Sequence, residues 1–295
     1  MKNEIIIDMP LRIQNDKDGF EFLINDLYYA TKDIKNSIIT LNFKKTRWLE
    51  ANLTAILGAI FSVIKNNKNR IIISSINNSI GKVLLKNNFL NSFGIEMDIV
   101  DTYESTIKYT KFTPNERVRF QEYLKSEFIP KINLLMSTSF EKELRLNLEE
   151  VFQNARTHGK CEYIFVCGQY FYVNKKVKFT IVDLGRSIPE NVKSKINSEI
   201  NDEDAIDWAT KDGNSTKVDV SGGIGLYQLS EFLKVNGGKL QIISSHGYWE
   251  QDKNCISKLR LNKPFYGTIV NIEVVINSKV YLSQEEVNNY IKDIF

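Results

Sequence analysis

The chain reads as an α/β protein of two units. Three observations predict this. Strand-like, β-branched runs alternate with helix-spaced runs over the first hundred residues, the pattern of a layered α/β unit. The length, 295 residues, suits two domains. A composition of 42% hydrophobic and 25% charged residues is that of a folded globular chain and is too apolar for disorder.

Taken in order, Glu4–Ile7 is a short strand. Asp18–Thr31 is a helix with Phe20, Leu23, Leu27 and Ala30 on one face and Asp16 or Asp18 as cap. Ser37–Phe43 is a strand, Glu50–Lys65 a mostly buried helix, Arg70–Ser75 a strand, Ser79–Asn87 a helix and Ile95–Val100 a last strand. Tyr103–Pro114 reads as a polar connector, followed by a helix with Thr113 as cap and Pro114 at its first position, ending near Pro130. Ser139–Thr157 is a further helix, and Tyr163–Phe171 and Val177–Val182 are strands. The polar region Gly185–Ser221 is long for a connection and is expected to be a lid or binding loop. Ile224–Val235 returns to helix, Leu240–Ser244 and Thr268–Ile276 are strands, and Ser283–Ile294 is a C-terminal helix.

Charge and special residues exclude several functions. A net charge of +3 with no long basic run does not suit a polyanion binder, so nucleic acid is not an expected partner. Lys44, Lys45 and Arg47 are read as solvated surface, and Trp48, Trp208 and Trp249 as packing residues. The longest apolar stretch, Leu53–Ile64, is too short to span a bilayer, and the N-terminus has no signal-peptide core, so a cytoplasmic protein with no membrane association is expected. Three cysteines give no disulfide framework; Cys161 and Cys167, an even number apart, are expected to share one buried face. His246 is expected to shape a Ser-Ser-His-Gly turn. Walker A, G-x-G-x-x-G, G-x-S-x-G and H-E-x-x-H motifs are all missing.

Four segments carry chemistry instead. In Leu144–Gly159, Leu144, Leu148, Val151 and Ala155 form a helical apolar stripe, and Glu143, Asn147, Glu150, Asn154 and His158 a second, polar one. A purely solvated face in this Lys-rich chain would carry long charged side chains rather than amides and a histidine. In FTIVDLGRSIP a strand runs into Asp183-Leu184-Gly185; the carboxylate either caps a turn or accepts a hydrogen bond from a base amino group. In VSGGIGLYQL, Gly222, Gly223 and Gly225 lead into a helix, where bare backbone N–H groups can meet an anion. In PFYGTIVNIEV, Gly267-Thr268 opens the last long strand.

In this order and spacing the four segments resemble the GHKL superfamily of DNA gyrase, heat-shock chaperone, histidine kinase and MutL ATPase domains. The pattern E-x-x-x-N-A, D-x-G, G-G-x-G-L, G-T matches at Glu150–Ala155, Asp183–Gly185, Gly222–Leu226 and Gly267–Thr268, and LEEVFQNARTHG is most similar to anti-sigma-factor kinases. The resemblance covers about half the chain and implies a Bergerat-type two-layer α/β sandwich over 136–278 that binds ATP and Mg²⁺. It implies that Asn154 coordinates Mg²⁺, Glu150 is the general base, and Asp183 binds the adenine amino group with Thr268 supporting it. Gly185 would let the backbone approach, Gly222, Gly223 and Gly225 would hold the phosphates, and Lys217 would reach them from the lid, where Ser215-Thr216-Lys217 is similar to the Thr-Ser-Lys of MutL. Arg186 and Ser187 depart from the family, which often continues as D-x-G-x-G.

The segment ITLNFKKTRWLEANLTAILGAIF resembles the core of a STAS domain, giving a STAS-like domain over 1–105, a connector helix over 106–135 and a C-terminal helix over 279–295. The STAS phosphoacceptor junction is here Trp48-Leu49-Glu50-Ala51-Asn52, with no hydroxyl before Thr54, so kinase and substrate in one chain are not expected. Nor is a histidine autokinase, since Met1–Thr157 contains no His. Three functions stay open: an ATP-hydrolysing switch that repositions the N-terminal unit or a protein partner, an anti-sigma-type serine/threonine kinase acting on a separate protein, and a non-catalytic ATP-bound adaptor. A second copy of the chain is a further candidate partner.

Overall fold

The computed structural model describes residues 3–95, 104–159, 161–196, 199–214 and 224–292, with side chains omitted at His158, Ile224, Gln284 and 290–292. It is a mixed α/β structure with several sheets.

The N-terminal part begins with β1 (Glu4–Asp8) and a two-residue strand β2 (Arg12–Ile13). Asp16 caps α1 (Lys17–Glu21) by accepting from the Gly19 N–H. The helix then widens into a π-helical stretch, Phe22–Tyr28, and ends as α2 (Tyr29–Thr31). β3 (Ile38–Asn42), β4 (Trp48–Leu49), α3 (Thr54–Asn66), β5 (Arg70–Ser74) and α4 (Asn78–Lys86) follow. β1, β3 and β5 form a parallel sheet in the order β1-β3-β5, while β2 pairs with β4. The expected strand at 95–100 lies, from residue 96, outside the described residues.

The polar connector expected at 103–114 is a strand, β6 (Thr106–Phe112), and 106–135 is therefore no simple connector helix. Its polar look has a physical cause: β6 is an edge strand, so Lys108 and Lys111 can point to water while Ile107, Tyr109 and Phe112 are buried. The following helix starts at Glu116, not at Pro114, as α5 (Arg117–Tyr123), a π-helical stretch and α6 (Ile129–Ile132); the Thr113 N–H and hydroxyl both donate to Glu116. β7 (Leu135–Met136) pairs with β12 (Val280–Tyr281), which leads into α11 (Gln284–Lys292). α7 (Thr138–Asn154), capped by Ser137, precedes β8 (Ile164–Phe171) and β9 (Lys176–Asp183).

Within the expected lid 185–221, α8 (Ile188–Ile196) and α9 (Asp202–Ala209) are helical, while 197–198 and 215–221 lie outside the described residues. Three acidic residues in the first turn of α9 suit the positive end of its dipole and account for the polarity that read as loop. After α10 (Ile224–Asn236), the last strands are far longer than their apolar cores suggested, forming the hairpin β10 (Lys239–Asp252) and β11 (Cys255–Val275). His246 lies in a bulged part of β10 rather than a turn, its Nδ1 3.0 Å from the Leu261 carbonyl.

β10, β11, β9, β8 and β6 make one antiparallel sheet in that order, with β9 at its centre. Period-two alternation splits it into two faces. Val177, Phe179, Ile181, Leu240, Ile242, Val270 and Ile272 pack with α5, α7 and α10 in one buried cluster. The opposite face meets the N-terminal part: Phe165, Cys167, Val182, Ile243 and Ile269 share a cluster with Phe20, Leu23, Leu27 and most of α3. Cys161 and Cys167 are both buried but belong to different clusters, because Cys161 precedes the strand and escapes its alternation.

The rest of that second face is polar and also buried. Asn52, on the turn before α3, donates to Asn15 at 3.0 Å, Thr180 at 2.8 Å and Asn271 at 3.0 Å. The Ala51 N–H donates to Gln169 at 2.8 Å, and Lys178 reaches both carboxylate oxygens of Glu50 at 2.9 Å. Asn271 bonds Gln241, which continues to Tyr248 and Glu250. Replacing Asn52 by Ala leaves the buried Thr180 hydroxyl oxygen without its donor, worth about 1–3 kcal/mol, and takes one of two donors from Asn271 Oδ1, which keeps the Thr180 hydroxyl. Asn52→Ala is expected to lower unfolding free energy by about 2–4 kcal/mol, read from the urea midpoint, whereas Asn78→Ala on an exposed helix end should change it by less than about 0.5 kcal/mol.

Candidate functional site

The described residues among those singled out by sequence gather at one end of the sheet and on the helices above it. Ser244, Thr268, Asp183 and Ile164 are register partners across β10, β11, β9 and β8, so they form one rung. Strand alternation turns Asp183 and Thr268 to the same side as Ile181 and Val270, the side of α7 and α10.

Asp183 is 6% exposed. Its Oδ1 accepts the Gly185 N–H at 2.8 Å, the turn-capping role open to it from sequence. Its Oδ2 has no donor among the described residues. Burial pushes the carboxyl up to about 7, against a smaller opposing pull from the Gly185 N–H. The turn passes from Gly185 to Ser187, which caps the Glu190 N–H at the start of α8.

Thr268 is fixed by a residue that sequence reasoning did not single out. Ser244 gives its single proton to the Gly267 carbonyl at 2.7 Å and accepts the Ile188 N–H at 2.9 Å. The Thr268 hydroxyl, 3.0 Å away, must therefore donate to Ser244, which leaves its own lone pairs toward the site. Gly267 has φ +130°, and a Cβ there would stand 2.1 Å from the Asp183 carbonyl, so only glycine fits beside the strand end.

On α7, Leu144, Leu148, Val151 and Ala155 are buried as expected, and Glu143, Asn147, Glu150 and Asn154 are half-buried. The two adjacent acids divide: Glu149 is buried and bonded to Arg117 and Gln121 of α5, while Glu150 faces α10. A Cβ on Gly225, in the first turn of α10, would lie 2.7 Å from both Cβ and Oε2 of Glu150. The bare glycine thus lets the N-terminal end of α10, the positive end of its dipole, meet this carboxylate. A carboxylate there can serve as a helix-stabilising charge or as a base; its position serves both. The Asn154 amide has no partner among the described residues.

Cys161 links the two halves and carried no signal of this in its spacing. Its Sγ donates to the Ala155 carbonyl, next to Asn154, at 3.4 Å. Burial, and then the nearby charge of Asp183, pushes its thiol up to about 12. Lys217, Gly222 and Gly223, with Ser215 and Thr216, lie outside the described residues, as does the side chain of His158. Among the described residues no group of three His, Cys, Asp or Glu side chains could hold a metal ion, and no helix is long and apolar enough to cross a membrane. Models of known protein families give no match to the chain, and curated protein sequences give none either.

The raised Asp183 pKa makes a signed prediction. In the unfolded chain the carboxyl ionises near 4; in the folded protein it holds its proton to about 7. Below pH 4 both states are protonated and burial carries no charge penalty. Stability then falls as pH rises from about 4 to 7, by at most about 4 kcal/mol for three units. Asp183→Asn is expected to match wild type near pH 4 and to exceed its stability at pH 8, measured as thermal midpoints without ligand. A constant difference across that range would contradict the buried carboxyl.

Proposed function

We propose that the chain is a Mg²⁺·ATP-binding regulatory protein of GHKL type, with its nucleotide site between the Ser244–Thr268–Asp183 rung and the α7–α10 pair. In this reading the fold is a Bergerat-type sandwich carrying a STAS-like N-terminal unit, and ATP turnover controls a protein partner. The observation that carries it is Asp183: a buried carboxyl at the end of the central strand with one oxygen lacking a donor among the described residues. A buried acceptor in that state suits a ligand donor such as an exocyclic base amine.

The other residues fit the same ligand. Thr268 keeps acceptor capacity beside Asp183, and the α10 N-terminus offers N–H groups to phosphate. Asn154 would supply one amide oxygen to Mg²⁺, an ion that takes few protein ligands and retains waters, so a three-acid cluster is not required. Bound there, the ion would neutralise charge developing on the phosphates. Glu150, one helical turn before Asn154, would take a proton from the attacking water and orient it. Excluding bulk water falls to the apolar floor of Ile181, Val270 and Leu226.

Calorimetry with ATP tests the binding reading. Asp183→Asn is expected to weaken ATP by about 10- to 150-fold, the loss of a charge-assisted bond of about 1.5–3 kcal/mol. Unchanged affinity would remove the adenine assignment. Chemistry is tested separately with labelled ATP. Glu150→Gln keeps the volume and the helix face but is no base, so turnover should fall about 10²- to 10⁴-fold while ATP affinity holds. Release of free phosphate marks a switch; label on a protein marks a kinase. Wild-type turnover in the variant would leave Glu150 as a structural charge at the α10 terminus.

A further inference from the structure

A second site lies away from that rung. A cavity of about 460 Å³ opens between the C-terminal end of α3, the segment after α4, and the edge strand β6. Its lining includes none of Asp183, Thr268, Glu150, Asn154 or Gly225. The volume falls in the range of small-molecule sites.

The floor is aromatic and buried: Tyr109 from β6 and Phe165 from β8. Gly58 of α3 makes that floor, since a Cβ there would stand 2.3 Å from the Tyr109 hydroxyl and displace the ring. The rim is cationic. Lys65 stands 4.3 Å from the centre of the Phe93 ring, and Lys111 3.1 Å from that of Tyr163. Neither forms an ion pair among the described residues; each is held by a ring face. Arg119, also on the lining, is held by Glu116 at 2.6 Å. Amides of Asn66 and Asn88 and hydroxyls of Ser62 and Ser92 complete the walls.

The two lysines do not have the same explanation. Lys65 sits in the last turn of α3, where the helix dipole favours a cation. Lys111 is held instead by the Tyr163 ring, with the Glu162 carboxylate near it. Burial lowers the Lys111 pKa, Glu162 opposes that, and Lys65 lowers it further, so the two ammonium groups repel each other. An anion between them relieves that repulsion, and a dianion does so more than a monoanion. The neutral donors of the walls suit the several acceptor oxygens of a phosphate.

We propose that this cavity binds a small phosphomonoester, its phosphate between Lys65 and Lys111 and its organic part on the Tyr109–Phe165 floor. The site is independent of the nucleotide reading. Titration calorimetry on the full chain tests it, with phenyl phosphate as probe and benzoate as the singly charged comparison. Wild type should bind phenyl phosphate at millimolar concentration or below, and benzoate more weakly. The doubly substituted Lys65→Ala, Lys111→Ala protein should lose about tenfold or more in affinity, and Asp183→Asn should lose none. Both lysines are exposed, so the substitutions should leave the circular dichroism spectrum unchanged. The proposal is overturned if wild type does not bind phenyl phosphate. It is equally overturned if the lysine variant binds as tightly as wild type, or if Asp183→Asn weakens binding as much as the lysine variant does.

Discussion

The fold depends on how the second face of the five-stranded sheet is covered. One face is apolar up to the Ser244–Thr268–Asp183 rung at its end and meets helices, which needs no special device. The other carries Lys178, Thr180, Gln241, Asn271 and Glu273, all removed from full exposure by the N-terminal part. Leaving these groups unpaired would cost about 1–3 kcal/mol each, more for the charges. The short stretch that leads into α3 supplies several of the partners: Asn52 for Thr180 and Asn271, Glu50 for Lys178, and the Ala51 N–H for Gln169 on the neighbouring strand. That stretch therefore decides where α3 sits, and α3 in turn covers Phe165 and Cys167 and builds the floor of the basic cavity.

Much of this was legible in the sequence, for a physical reason in each case. The apolar stripe of α7 and the strands β8 and β9 have full periodicity, and the structure holds them close to the expected bounds. The glycines at 225 and 267 make close approaches, to Glu150 and to the Asp183 carbonyl, that their sequence settings as a helix entry and a strand opening do not announce. The polar seam was not legible, because KVKFTIVD and VNIEVV alternate like a sheet with one wet face. Only the partner unit turns those polar positions into interior ones. The β6 strand and the outer half of the β10–β11 hairpin were missed on the same grounds: edge and exposed strands do not carry the apolar signal that sequence reading relies on. Ser244 and Cys161 join the candidate site through tertiary contacts alone.

The seam and the candidate site use the same strands. β9 carries Lys178 and Thr180 in the seam and Asp183 on the rung. β11 carries Asn271 and Thr268, and β10 carries Gln241 and Ser244. A slip of one residue in β11 would exchange its faces, taking Asn271 from Asn52 and Thr268 from Asp183 in one step. Register is thus specified twice, by the apolar face and by hydrogen bonds that only one alignment satisfies. It follows that the geometry at Asp183 and the docking of the N-terminal part are not separate properties. The rung faces α7 and α10 on strands whose opposite faces hold Asn52. The covalent continuity of three strands, rather than a chain of surface contacts, is the physical element both ends share.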